Sequence, residues 1–214
     1  MMVLHTFVGS PNGRKVETVI RHLGLSVEIV YHDFFSGALR TPEFRTLNAN
    51  GKVPVLVDGP FVLWESNAII QYLADWAGDD ALFPHEPRAR ADVIRWLCWE
   101  LAHFNKAFGT LAFEAVAKPK FGLGPTNDAL VAWAQEDLAR LAPVLEAHLA
   151  VRQTMVGNTV TLADYALAKL ESYRATAPFD WSPYLRINAH FDRIRQLEPW
   201  VGTEPALVRE PIEA

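Results

Sequence analysis

The chain has 214 residues, half of them hydrophobic and 21% charged, with a formal net charge of −5. That acidic balance lacks the basic footprint of a nucleic-acid binder, and no apolar run approaches the roughly 18–20 residues that span a bilayer. One cysteine, Cys98, excludes an intrachain disulfide and fits a reducing compartment. The start runs straight into a strand-like segment with no basic region before it, so no signal peptide is expected and the chain reads as cytoplasmic.

Residues 3–8 form a β-rich run. After Ser10-Pro11-Asn12-Gly13, Val16, Val19, Ile20 and Leu23 recur at helical spacing, which predicts an amphipathic helix over 12–23. Residues 27–31 alternate like a strand. Thr41-Pro42-Glu43 has the form of a cap, a first-turn proline and a first-turn acid, and opens a short helix. Two apolar runs, Val55-Leu56-Val57 and Phe61-Val62-Leu63, flank the turn dipeptide Asp58-Gly59 and predict antiparallel strands. Pro54 cannot donate to a ladder, so it belongs at the strand entrance. Glu65 and Ser66 then open a helix carrying Ala68, Ile69, Tyr72, Leu73 and Trp76. The predicted order is β-α-β-α-β-β-α, a small α/β domain over residues 1–77.

Residues 78–87 break every period, carry two prolines and read as a linker. From 88 to 214 strand signals vanish, and the reading is an all-helical domain. A long helical run over 88–116 places Val93, Trp96, Leu97, Leu101, Phe104, Phe108 and Leu111 on one broad face. Lys118-Pro119 to Gly124-Pro125 interrupts it, and Thr126 can cap the next helix. Thr161-Leu162-Ala163-Asp164 has the pattern of a capping box, with Val160 and Tyr165 at the staple positions. A last helix is expected over about 183–196, followed by an extended tail. Cys98 reads as a small buried hydrophobe.

Three stretches invite chemistry. Ser10 stands between the first strand and the first helix. Glu65-Ser66 stands at a helix start, whose unpaired N–H groups and positive dipole end suit a carboxylate. Between them lies the strand-entry Val53-Pro54. The seven histidines show no i,i+4 pair and no Cys/His cluster, so no metal site is expected. No phosphate-loop pattern and no serine-nucleophile elbow is present.

In this order and at these spacings, Ser10-Pro11-Asn12-Gly13-Arg14-Lys15-Val16, Val53-Pro54 with Glu65-Ser66, and Val160 to Tyr165 resemble the glutathione transferase superfamily across essentially the whole chain. The resemblance implies a thioredoxin-like N-terminal domain and an all-α C-terminal domain. It implies a detoxifying transferase that conjugates glutathione to a small apolar electrophile. It also implies a homodimer, with no nucleic acid, membrane or metal involved. In theta-like and phi-like classes the activating serine matches Ser10; in nu-like relatives a hydroxyl residue and an asparagine flank the sulfur, which matches Asn12. The remaining assignments follow the resemblance. The Val53 backbone pairs the cysteinyl amide, Glu65 and Ser66 take the γ-glutamyl end, and Arg40 and Lys52 face the glycine carboxylate. The second substrate would meet Trp99, His103, Phe104, Phe108 and Phe113. Two other readings stay open at this point: a glutathione-dependent disulfide or peroxide reductase, and a non-catalytic module that retains the fold.

Overall fold

The computed structural model describes residues 1–205. Four strands form one mixed sheet in the order β2-β1-β3-β4: β1 (Met2–Thr6), β2 (Val27–Tyr31), β3 (Val55–Asp58) and β4 (Phe61–Trp64). β1 runs parallel to β2, whereas β1–β3 and β3–β4 are antiparallel. The parallel pair needs a crossover, supplied by helix α1 (Pro11–His22). Helix α2 (Pro42–Leu47) is capped by Thr41, whose hydroxyl accepts from the Phe44 N–H at 3.2 Å. Helix α3 (Ser66–Ala77) follows β4 and ends at Gly78 in the left-handed conformation. The observed strand and helix order is the one the periodicity predicts.

The remaining described helices are α4 (Pro87–Trp99), α5 (Asn105–Ala112), α6 (Lys118–Phe121), α7 (Asp128–Leu149), α8 (Leu162–Ala168), α9 (Leu185–Ile194) and α10 (Glu198–Val201). Two π-helical segments, Glu100–Phe104 and Phe113–Ala117, join α4, α5 and α6. The chain packs as two compact units, Met1–Phe83 together with the stretch from Gln196, and Pro84–Arg195. The expected helical domain of 88–214 therefore differs at its end: α10 packs with the first unit. The tail expected to be extended after Leu197 begins instead with α10, and its part beyond residue 205 lies outside the described residues. Pro199 sits in the first turn of α10, where its fixed φ suits a helix start.

Inside the second unit the broad face holds, with one substitution. Leu101, expected inward, is 49% exposed. Glu100 occupies the inward position instead and pairs with Lys169 at 2.6 Å, both buried. Cys98 is exposed rather than buried; it shares the outward side of α4 with Ile94. Asn127, not Thr126, caps α7, its Oδ1 accepting from Ala129 and Leu130. Thr126 instead donates to the Glu114 carbonyl at 3.0 Å.

The capping box at α8 is present and deeper than a surface cap. The Asp164 carboxylate is fully buried and accepts from the Thr161 N–H at 2.8 Å, the Thr161 hydroxyl at 2.9 Å and the Met155 N–H at 2.9 Å. It thus pins the preceding loop as well as the helix start.

Candidate active site

Register explains why distant residues meet. Thr6 pairs with Tyr31, His5 with Val55, and Val55 with Trp64. The chain therefore leaves β1 toward Ser10, leaves β2 toward Arg40, enters β3 from Val53 and leaves β4 toward Glu65, all at one end of the strands. An end of the sheet that also receives two helix starts collects backbone N–H groups and positive dipole ends.

Ser10 is the N-cap of α1, with extended backbone (φ −65°, ψ 117°) and Pro11 after it. Its Oγ accepts from the Gly13 N–H at 3.1 Å, and the residue is 4% exposed. With its lone pair engaged by the cap, the hydroxyl retains its proton for a partner that accepts. Gly13 permits the close approach of this turn to the sheet. A β-carbon at position 13 would lie 1.9 Å from Thr6 Oγ1 and 3.1 Å from the Ser10 β-carbon.

Asn12, in the first turn of α1, turns Oδ1 toward Ser66, whose hydroxyl donates at 3.2 Å. Lys15 is completely buried and donates through Nζ to Asn67 Oδ1 at 2.5 Å. Two side-chain bridges thus tie the first two turns of α1 to the first turn of α3. Sequence reasoning named Asn12 and Ser66 but missed Lys15, Asn67 and Gly13; a lysine beside an arginine gives no sign that it will be buried.

Glu65 has φ 74° and ψ 106° and is the only non-glycine with positive φ among the described residues. Such a conformation costs on the order of 1–3 kcal/mol and gathers at ligand sites. It is held by helix formation itself, since the Glu65 carbonyl accepts from Ala68 and Ile69 at 2.9 and 3.0 Å. Its side chain is exposed while Ser66 beside it is buried.

Val53 precedes Pro54 through a cis peptide bond. Its approach is set by Asn48, another residue the sequence reading missed: Nδ2 donates to the Lys52 carbonyl at 2.7 Å, and Oδ1 accepts from the Asn50 N–H at 3.0 Å. Lys52 and Arg40 are exposed. Arg40 closes a 3-10 turn, Ala38–Arg40, whose Leu39 is anchored in a cluster with Phe44 and Val55.

The aromatic set on the second unit divides. Phe104 and Phe108 are 1% and 0% exposed; Phe104 packs edge-on against Phe108 and Trp181, and Phe108 packs against Trp181 in a tilted arrangement. They are core rings, which corrects their place in the expected pocket: an aromatic at the inward helical position is claimed by the nearest core. Trp99, His103 and Phe113 keep accessible surface.

The fold brings together one histidine pair that spacing could not reveal. His5 Nδ1 lies 3.0 Å from His32 Nε2, with Phe44 edge-on to both rings. Among the described residues no group of three or more His, Cys, Asp or Glu side chains is placed to hold a metal ion. No helix there is long and apolar enough to cross a membrane.

A four-stranded thioredoxin-like sheet with helix starts at one end of its strands, followed by an all-helical unit, is the fold of the glutathione transferases. The sequence matches the family model described as Glutathione S-transferase, N-terminal domain, over residues 1–75. It matches Glutathione S-transferase, C-terminal domain, over residues 104–198. The chain belongs to the glutathione S-transferase family, a family of transferases. Glutathione S-transferase 3 of Zea mays is 38% identical over 172 residues, 79% of this chain and 76% of that one. Glutathione S-transferase of Hyoscyamus muticus is 32% identical over 190 residues, 86% of this chain and 89% of that one. Among solved structures, glutathione S-transferase III in apo form is similar with a TM-score of 0.84 at 32% identity, covering 98% of each chain.

Proposed function

We propose that the protein is a glutathione transferase in which Ser10 donates a hydrogen bond to the glutathione sulfur and holds it as a thiolate. A free thiol with pKa near 8.5 is only a few per cent ionised at pH 7. Lowering it by about two units takes roughly 2.7 kcal/mol in favour of the anion. A hydrogen bond to a charged group supplies about 1.5–3 kcal/mol, and a partly buried helix N-terminus up to about 2 kcal/mol. One buried hydroxyl at the start of α1 is enough. The observation that carries this reading is the state of Ser10: buried, its oxygen already accepting from Gly13.

Around it, the Asn12 amide sits in the first turn of α1 and supports the sulfur from the second side. Val53 offers its backbone in strand-like pairing to the cysteinyl amide. Glu65 pairs the γ-glutamyl ammonium, and Ser66 receives the carboxylate by turning its hydroxyl away from Asn12. Arg40 and Lys52 attract the glycine carboxylate. Trp99, His103 and Phe113 are the acceptor-facing candidates of the helical unit, and their surface suits an apolar or aromatic electrophile in detoxification. The exposed rings of Phe61, Trp64 and Trp76 support a homodimer that would cover them, acting in the cytoplasm.

Steady-state kinetics with a chlorinated nitroarene tests the reading. Ser10→Ala lowers kcat/KM at least about tenfold, roughly 1.4 kcal/mol of transition-state stabilisation. Unchanged kinetics would remove Ser10 from the mechanism.

A further inference from the structure

The stretch that returns to the first unit grips one side chain of α1. Arg14 is 7% exposed. Its Nε donates to Thr203 Oγ1 at 3.2 Å, and its Nη2 donates to the Trp200 carbonyl at 3.4 Å and to Glu204 Oε1 at 2.5 Å. The guanidinium also lies 4.3 Å from the centroid of the Trp200 ring, which is completely buried. One turn further along α1, the Thr18 and Thr203 hydroxyls meet at 3.2 Å, and Arg21 pairs with Glu198 at 3.0 Å.

The backbone of the same arginine holds the serine. The Arg14 N–H donates to the Ser10 carbonyl at 2.8 Å, the first hydrogen bond of α1. Ser10, Arg14, Glu17, Tyr31 and Thr203 are among the residues that line one cavity of about 10 Å³. That is space for no more than about one water, and Ser10 and Thr203 both stand on its wall.

We propose that residues 196–205 form a clasp that fixes Ser10 through Arg14, making Arg14 a positioning residue for thiol activation. The inference rests on the Ser10 reading above. A planar guanidinium engaging three acceptors on one short stretch fixes position as well as charge. A hydrogen bond from Ser10 to a sulfur weakens steeply as distance and angle drift, so loosening the first turn of α1 weakens thiolate stabilisation without touching the γ-glutamyl or glycine ends of the ligand.

The test titrates the thiol of bound glutathione by thiolate ultraviolet absorbance in the wild type, Arg14→Met, Arg14→Lys, Thr203→Val, Glu204→Gln and Ser10→Ala. Affinity for S-methylglutathione, which has no thiol to ionise, is measured alongside. Arg14→Met and Arg14→Lys are both expected to raise the apparent thiol pKa by about one unit, a tenfold loss of thiolate below the pKa. Their affinity for S-methylglutathione stays within about threefold of wild type, since RT ln 3 is under 1 kcal/mol. Thr203→Val and Glu204→Gln shift the pKa the same way by less. An unmoved pKa in Arg14→Met overturns the clasp. Full restoration by Arg14→Lys also overturns it, because charge alone would then suffice. If Arg14→Met fails to fold, the two clasp variants decide, and no shift in either is a refutation. A shift in Ser10→Ala with none in the others sinks the clasp alone. An unmoved Ser10→Ala sinks the serine reading itself.

Discussion

The Ser66 hydroxyl donates to Asn12 Oδ1 at 3.2 Å, across 54 residues of chain. This bond, with Lys15 to Asn67 beside it, fixes the spacing of the two helix starts proposed to hold the sulfur and the γ-glutamyl end of the tripeptide. Asn12→Ala removes the amide proposed to support the sulfur, at about 1 kcal/mol for a typical hydrogen bond, or roughly fivefold in affinity. Calorimetric titration with glutathione is expected to show that loss. Asn12→Asp should bind more weakly still, since its charge would face the γ-glutamyl carboxylate.

Gly13 and Thr6 make a second testable pair. A methyl group on residue 13 would collide with Thr6 Oγ1, and Thr6 Oγ1 is buried without a hydrogen-bond partner. Gly13→Ala is expected to destabilise by about 1–3 kcal/mol through overpacking. Thr6→Ala in the same chain should recover much of that, a coupling visible in a double-mutant cycle by denaturant unfolding. Additive losses would show that the collision is relieved elsewhere.

Glu100 and Lys169 pair at 2.6 Å with both side chains at most 2% exposed. Removing one partner strands the other charge in the core. Glu100→Gln or Lys169→Met alone should therefore cost about 3–5 kcal/mol, whereas Glu100→Leu with Lys169→Met should lie near wild type. Thermal unfolding of the four proteins separates the outcomes.

Burial, opposed in part by the Asp164 carboxylate 3.8 Å away, holds the His190 imidazole below its ordinary value of 6.5. Below pH 6.5 the unfolded chain takes up a proton that the folded chain resists. Stability contributed by the neutral ring is thus complete above that pH and lost as the pH falls. One such group gives a slope of at most about 1.4 kcal/mol per pH unit. His190→Gln should flatten the stability profile between pH 7 and pH 5; an unaltered slope would assign the pH dependence to other groups.

The N-terminal unit was legible because its signals are local. A cap, a proline and an apolar period each lie within one element, so β1 to α3 could be read in order. Ser10, Asn12, Val53, Glu65 and Ser66 fall at one end of the strands because strand register puts them there. What sequence could not show was pairing over distance. Glu100 reads as an outward charge until Lys169 is seen opposite it, and Lys15 reads as surface until Asn67 receives it. The positive φ of Glu65 leaves no trace in composition. Phe104 and Phe108 show the limit of periodicity: it identifies an inward face without saying whether a core or a ligand lies against it. The tail after Leu197 looked extended because one short turn of helix is too brief for a period to register.

The central claim concerns the charge on a bound sulfur. Thiolate absorbance of glutathione held by the wild-type protein should titrate about two units below the free thiol, near pH 6.5, and Ser10→Ala should return it most of the way toward 8.5. Titration at the same low pH in both proteins would contradict the account.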